Sequence, residues 1–239
     1  MMSMFPRSFL RLAAVAAMAV ALAGCGRTES YRYKLTLAVN TPDGVKRGSS
    51  VAEVVFWNVL IPERGIMQKL RGEALYLDLG AGKRPLIALR TNQLRSQRAR
   101  NDAEFQKAIR WTRDWGPGVM ILSELYGRPS ADFMDDVRRI SRMRGPRKIA
   151  PTDLPDLVTF ADISDPNSVI EVDPENLQAT LGPNITWNEI TLEMTDEPIT
   201  AGIRTKLPWL ATYYDKMLDG SPHHDKKTLA NKLNTADFE

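Results

Sequence analysis

Between residues 31 and 40 the chain reads YRYKLTLAVN, with Tyr31, Tyr33, Leu35, Leu37 and Val39 separated by more polar neighbours. Alternation of this kind puts every second side chain on one face of an extended backbone, so the segment predicts a strand with one buried face. TPDG at 41–44 predicts a turn, with Pro42 fixing φ and Gly44 closing it. A second strand over 49–59 then returns as the other arm of a hairpin. Residues 74–79 and 85–89 predict another hairpin, joined by GAGK. The first half reads as an antiparallel meander.

The pattern then changes period. Residues 101–113 carry Ala103, Phe105, Ala108 and Trp111 roughly on one helical face, and Gly116-Pro117-Gly118 stops the helix. Residues 119–126 suit a strand or a helix equally, while 131–142 look helical. Residues 157–160 predict a short strand. In DPENLQATLG, at 173–182, Asp173 can cap a helix, Pro174 suits its first turn and Gly182 its exit. Residues 185–195 form a strand whose apolar positions switch parity, Ile185 and Trp187 being odd and Ile190, Leu192 and Met194 even. One extra residue near Asn188 would produce that slip, which predicts a β-bulge there. Short helices are expected near Pro198, near Pro208 and from Ser221-Pro222. The fold class is α+β: an antiparallel β-sheet, a meander of hairpins in the first half, covered by several short helices.

The first residues differ in kind. Residues 1–11 contain Arg7 and Arg11 and no acid, and thirteen uncharged, mostly apolar residues follow from Leu12 to Gly24. A membrane-spanning helix needs about 20 apolar residues, so the run suits a cleaved export signal better than a permanent span. At its end stand Leu22, Ala23, Gly24 and Cys25, the only cysteine in 239 residues. This tetrad resembles the lipobox of bacterial lipoproteins. The resemblance implies that the Cys25 sulfur receives a diacylglyceryl group, that the chain is cut before it, and that the new amino group is acylated as well. It assigns residues 1–24 to a signal peptide and 25–30 to a lipidated Cys and short tether; the length of the remainder, 31–239, suits a single domain, and the proline spacing and charge reversal around GPRKIAPTDLP mark a possible subdomain boundary near 145–155. The absence of an Arg-Arg pair favours the general export route. Gly26 stands where an Asp would, in enterobacterial lipoproteins, mark retention in the inner membrane, so the resemblance leans towards the outer membrane, facing the periplasm. With its one thiol consumed by lipid, the mature chain could form no disulfide, thiolate nucleophile or cysteine-ligated metal site.

Two of the 32 basic residues lie in this leader, so the rest nearly balance the 29 acidic ones. Distribution says more than the total. Nine Lys or Arg fall between Lys83 and Arg113 against Asp102 and Glu104, and seven more lie between Arg128 and Lys148 against three acids, whereas residues 151–203 hold eleven acids and no base. Two readings stay open: the segments fold side by side and compensate, or the basic one faces anionic lipid or lipopolysaccharide, with Arg95, Arg98 and Arg100 as the membrane-facing candidates. Nucleic acid is not expected as a partner of an exported, tethered chain.

Motifs for chemistry are weak. GAGKRP at 80–85 lacks the spacing and the following helix of a phosphate loop and suits a hairpin turn. SPHHD at 221–225 holds both histidines, His223 and His224, beside Asp225, but adjacent side chains on a helix diverge by about 100° and cannot readily share one metal. DISDPNSVIEVD at 162–173 places Pro166 where a calcium loop needs a ligand and Asn167 where it needs glycine, so a capped turn is expected. No Gly-x-Ser-x-Gly elbow occurs. Paired carboxylates leave little sequence trace, and Glu124, Asp132, Glu189 and Glu193 are available for glycan cleavage. Trp57, Trp111, Trp115, Trp187 and Trp209 suit core or rim positions. The expectation is a non-catalytic envelope component, membrane-bound through its lipid and binding a partner protein or an anionic membrane surface, with no metal and no cofactor. A cell-wall glycan hydrolase is the alternative.

Overall fold

The alternation at 31–40 becomes strand β1 (Thr28–Thr41) in the computed structural model, which describes residues 27–58, 65–94 and 132–239. Tyr31, Tyr33, Leu35, Leu37 and Val39 are all buried. The turn at 42–43 leads directly into β2 (Gly44–Asn58), and the pair runs without interruption from Thr41↔Gly44 to Thr28↔Trp57. Strand β3 (Ile66–Arg71) pairs with the far edge of β2. Short strands β4 (Leu75–Leu77) and β5 (Leu86–Ala88) form the second hairpin, as its spacing predicted. Four strands follow: β6 (Arg147–Lys148), β7 (Leu157–Phe160), β8 (Val169–Val172) and β9 (Thr186–Met194).

These strands make two antiparallel sheets, ordered β3-β2-β1-β9-β6 and β4-β5-β7-β8. The meander therefore divides between layers: the first hairpin and β3 build the large sheet, and the second hairpin starts the small one. Strand β9 lies against β1 with Ala38 facing Glu189 and Val39 facing Trp187, which leaves Asn188 as the extra residue of a bulge. The parity switch in the sequence is that bulge. The Asn188 amide donates to Asn40 Oδ1 at 3.1 Å, and the Asn40 amide donates to Trp187 O at 3.3 Å, which ties the irregularity across the two strands.

Between the sheets lies the first core. It joins Tyr33, Leu35, Leu37, Val54 and Phe56 of the large sheet to Leu75, Leu77, Leu86 and Leu157 of the small one. Helix α1 (Phe133–Ser141) closes it with Met134, Val137 and Ile140. Asp132 caps α1, accepting from Met134 N at 2.8 Å and Asp135 N at 3.2 Å, and acids in the first turn with Arg138 and Arg139 in the last complement the helix dipole. The small sheet is covered on its other face too. Ile87, Val158, Phe160 and Val169 pack there against Ile203, Leu207, Trp209, Leu210, Leu233 and Phe238, which is why LVTF at 157–160 is apolar with little alternation. The one hydroxyl in that run, on Thr159, is satisfied by donating to Pro85 O at 2.7 Å.

Helices are shorter than the sequence suggests. DPENLQATLG yields only the single turn α2 (Gln178–Leu181), because the Asp173 carboxylate is used in a tight turn, accepting from Glu175 N at 2.9 Å. Gly182, at φ 112, ends α2 as its position predicted. No helix forms at Pro198. Residues 195–200 cross the large sheet, with Thr195 N donating to Arg32 O, Thr200 N donating to Val51 O at 3.0 Å, and Thr200 Oγ1 accepting from Val51 N at 2.8 Å. The open edge of β2, left where β3 ends, is filled by that crossing, and its ladder bonds outweigh the local proline signal. Pro208 does precede a helix, α3 (Trp209–Thr212), whereas Ser221-Pro222 precedes a loop; the last α-helical turn is α4 (Leu229–Lys232), followed by a 3-10 turn at Thr235–Asp237.

Gly72 turns the chain from β3 towards β4 with φ at +122°, and a Cβ there would lie 3.0 Å from both Ala52 Cα and Val51 O. Gly72→Ala is expected to cost about 3 kcal/mol, since unfavourable φ and overlap with fixed backbone add. Urea unfolding would show it as a lower midpoint at unchanged slope.

Candidate functional site

Arg27, two residues after Cys25, is held before β1 begins. Its guanidinium donates to Asp132 at 2.8 Å and to Asp135, both at the N-terminus of α1, and its Nε lies 3.3 Å from Glu29. Arg138 binds the same Glu29, and Arg27 O accepts from Asn58 N at 3.1 Å. Exposed pairs of this kind contribute little singly. Together they fix the point at which the chain joins the domain, so Gly26 alone separates Cys25 from a held residue.

The cluster is acid-sensitive. Arg138, and then Arg27, hold the Glu29 carboxyl below its ordinary 4.5. The backbone N–H groups of Asp135 and Met134 hold Asp132 below 3.8, with Arg27 adding to them. Both groups bind protons less readily folded than unfolded, so their stabilisation is complete above about pH 4.5 and is lost as the pH falls through the folded values. Unfolding free energy measured from pH 6 to 3 should therefore decline below about pH 4.5, with a shallower decline in Arg138→Gln.

The lipobox residues Leu22, Ala23, Gly24 and Cys25 lie outside the described residues, as do Arg95, Arg98, Arg100, Glu124, Trp111 and Trp115. Other candidates are placed. GAGK turns between β4 and β5, with Lys83 N donating to Gly80 O and the Lys83 ammonium paired with Asp43 in the β1–β2 turn. In the calcium-like segment, Asp162 accepts from Ser164 N and Asp165 from Asn167 N, both at 2.9 Å, which makes two capped turns. Of the carboxylates, Asp132 belongs to the Arg27 cluster, Glu189 pairs with Arg47 at 2.7 Å, and Glu193 stands beside Lys34. Glu189 and Glu193 are four residues apart on one strand, which separates their Cα atoms by about 13 Å. Trp209 is buried and donates to Ile163 O at 3.0 Å, Trp187 flanks the first core and donates to Pro174 O at 2.8 Å, and Trp57 is half-buried at the end of β2. Arg144 of the later basic segment pairs with Asp196 of the acidic one at 2.7 Å.

The two histidines lie in a loop organised by a residue the sequence did not single out. Asn231, 0% exposed, accepts through Oδ1 from Asp225 N at 2.9 Å and Lys226 N at 2.7 Å. Its side-chain amide donates to Asp219, to Ser221 Oγ at 2.6 Å and to His223 O at 3.0 Å, and its main-chain carbonyl oxygen lies 2.6 Å from His224 Nδ1. Lys226 and Ser221 hold the Asp219 carboxyl well below the usual range. The D-G-S-P sequence signals the Asp219 turn, but nothing local marks an asparagine ten residues later as its centre. Asn231→Ala is expected to cost about 2–4 kcal/mol, because two backbone N–H groups and a carboxylate lose their buried partner. Thermal unfolding measures the loss, with unchanged far-UV circular dichroism below the transition.

Among the described residues, no cluster of three His, Cys, Asp or Glu side chains is arranged to hold a metal ion, and no helix is long and apolar enough to cross a membrane. No protein-family model matches the chain, and searches of curated proteins and of solved structures find no similar protein.

Proposed function

We propose that this chain is a lipid-anchored, periplasm-facing component of a bacterial envelope, seated on the outer membrane and acting by binding rather than catalysis. The observation that carries the reading is the Leu22-Ala23-Gly24-Cys25 tetrad after a basic segment and a thirteen-residue apolar run. The position of the folded body suits such an anchor, since Arg27 is already tied to α1 and β1 starts at Thr28. A body held this close is restricted to what lies at or near the bilayer surface, so its partner is another envelope protein or the anionic surface itself. Arg95, Arg98 and Arg100 supply positive charge for the second case.

Mass spectrometry of the protein extracted from its own membrane tests the anchor. The expected product begins at Cys25 and carries two or three acyl chains; a bare sulfur or a retained leader overturns the reading. Cross-linking in the same membranes then identifies what the domain touches. Captured protein or lipid supports a binding role, and captured glycan strands would turn the assignment towards a hydrolase.

A further inference from the structure

We infer that the end of the large sheet at which β1 begins rests in the headgroup region of the bilayer, with Trp57, Ile66 and Met67 as its lipid contacts. The inference builds on the anchored reading above and adds an orientation to it.

Three observations meet at that end. Register places Thr28, Trp57 and Met67 side by side across β1, β2 and β3 on the face turned away from the first core, with Ile66 on the adjoining terminal rung opposite Asn58. Met67 is 36% and Ile66 41% exposed, so large apolar side chains stand in solvent beside a half-buried tryptophan. One rung further back on the same face, Lys69 is exposed next to Val55, followed by Arg71 and Arg32 around Glu53. Among the described residues of this face, apolar and aromatic groups thus stand nearest the end with cations just behind them, the order in which side chains cross a membrane interface, where tryptophan lies at headgroup level and lysine reaches back to water.

The tether selects the bilayer over other occupants. Cys25 is two residues from Arg27, a span of at most about 7 Å. Each headgroup layer is about 5–8 Å thick, the difference between a hydrocarbon core of about 30 Å and a whole bilayer of about 40–45 Å. The linker is no longer than the layer it must cross. With Arg27 fixed to α1 and bonded to Asn58, the Thr28–Trp57–Met67 rung begins within the tether's reach of the headgroup layer, and this places the bilayer ahead of a protein as its occupant.

Val45 supplies an internal control. It is 53% exposed on the same face, at the opposite end of the β1–β2 pair. The full-length chain carrying Met67→Cys or Val45→Cys, each labelled at the new thiol with an environment-sensitive fluorophore, is reconstituted into phosphatidylethanolamine–phosphatidylglycerol vesicles containing lipid with a shallow nitroxide. The Met67 probe should lose at least about half its emission and the Val45 probe less than about a tenth, as expected for insertion of about 5–10 Å at one end only. Equal quenching, stronger quenching at Val45, or a Met67 probe shielded in native membranes yet unquenched in vesicles overturns the orientation. Intact mass of the same preparation separates the two claims. Acylated Cys25 with an unquenched Met67 probe removes the orientation alone, whereas an unacylated Cys25 removes the anchor and the orientation with it. Both substitutions are at exposed positions, and an unchanged unfolding midpoint shows that the fold is kept.

Discussion

Replacing Cys25 by serine is expected to abolish acylation and to release the protein from membranes under alkaline extraction. A hydroxyl is far less nucleophilic than a thiolate and is not alkylated in its place, so the diacylglyceryl group never forms. Each methylene buried in the bilayer contributes about 0.8 kcal/mol, and two or three long chains together hold the protein with on the order of 20 kcal/mol before losses. Among the described residues, no helix is long and apolar enough to replace that anchor by crossing the membrane. The thirteen apolar residues from Leu12 to Gly24 fall short of the roughly 20 needed for a stable span. The variant should therefore retain its leader, lack the acyl mass and appear in the extracted fraction, while the unmodified chain stays with the membrane. Arg27→Ala makes the contrast, since it should keep the acyl mass and the membrane association while loosening the junction with Asp132 and Asp135.

Phe160→Ala is expected to cost about 3–5 kcal/mol, a large share of the roughly 5–15 kcal/mol that holds an ordinary domain together. Phe160 is 1% exposed on the face of the small sheet covered by the C-terminal residues. Its ring centre lies 5.5 Å from that of Trp209 and 6.3 Å from that of Phe238, and those two are themselves 5.5 Å apart, edge to face. Truncation leaves a void bounded by two rigid aromatic groups that cannot collapse into it, so the loss should lie near the top of the range. Guanidinium unfolding would show the shift in midpoint, and weakened near-UV circular dichroism would report loosening around Trp209. Phe133→Ala should cost less, because Phe133 is only partly buried where it meets Phe56 at 5.0 Å on the edge of the first core.

The large elements were legible because burial leaves a period in the sequence. Alternation gave β1, turn chemistry gave the return into β2, and a change of parity placed a bulge near Asn188, where it is found. Helix signals misled where a local preference met a stronger tertiary demand. Pro198 lies in a segment that crosses to the edge of β2 and supplies it with partners, and Asp173 spent its carboxylate on a tight turn rather than on a helix cap. The split into two sheets was not readable, since β4 and β5 have three residues each and their short run does not say which layer receives them. Of the proposed site, Cys25 and its neighbours carry a linear motif and could be read directly. The cluster beside it could not: Arg27 meets Asp132 and Asp135 only after the chain has folded back from more than a hundred positions away, and no spacing rule connects them. Asn231 was hidden for the same reason, as a small polar residue becomes a hub only when a loop closes round it.

Strand β1 at the start of the folded chain sits in the centre of its sheet, and one of its two neighbours, β9, is synthesised roughly 150 residues later. For a polypeptide threaded through a translocation pore in unfolded form, as the proposed export requires, this topology works as a delay. The hairpin with β2 can assemble early, but its second flank stays open until nearly the whole sequence has emerged on the far side. Under that proposal, folding in the cytosol would jam the pore, and the late synthesis of β9 would delay completion of the sheet until most of the sequence has been made.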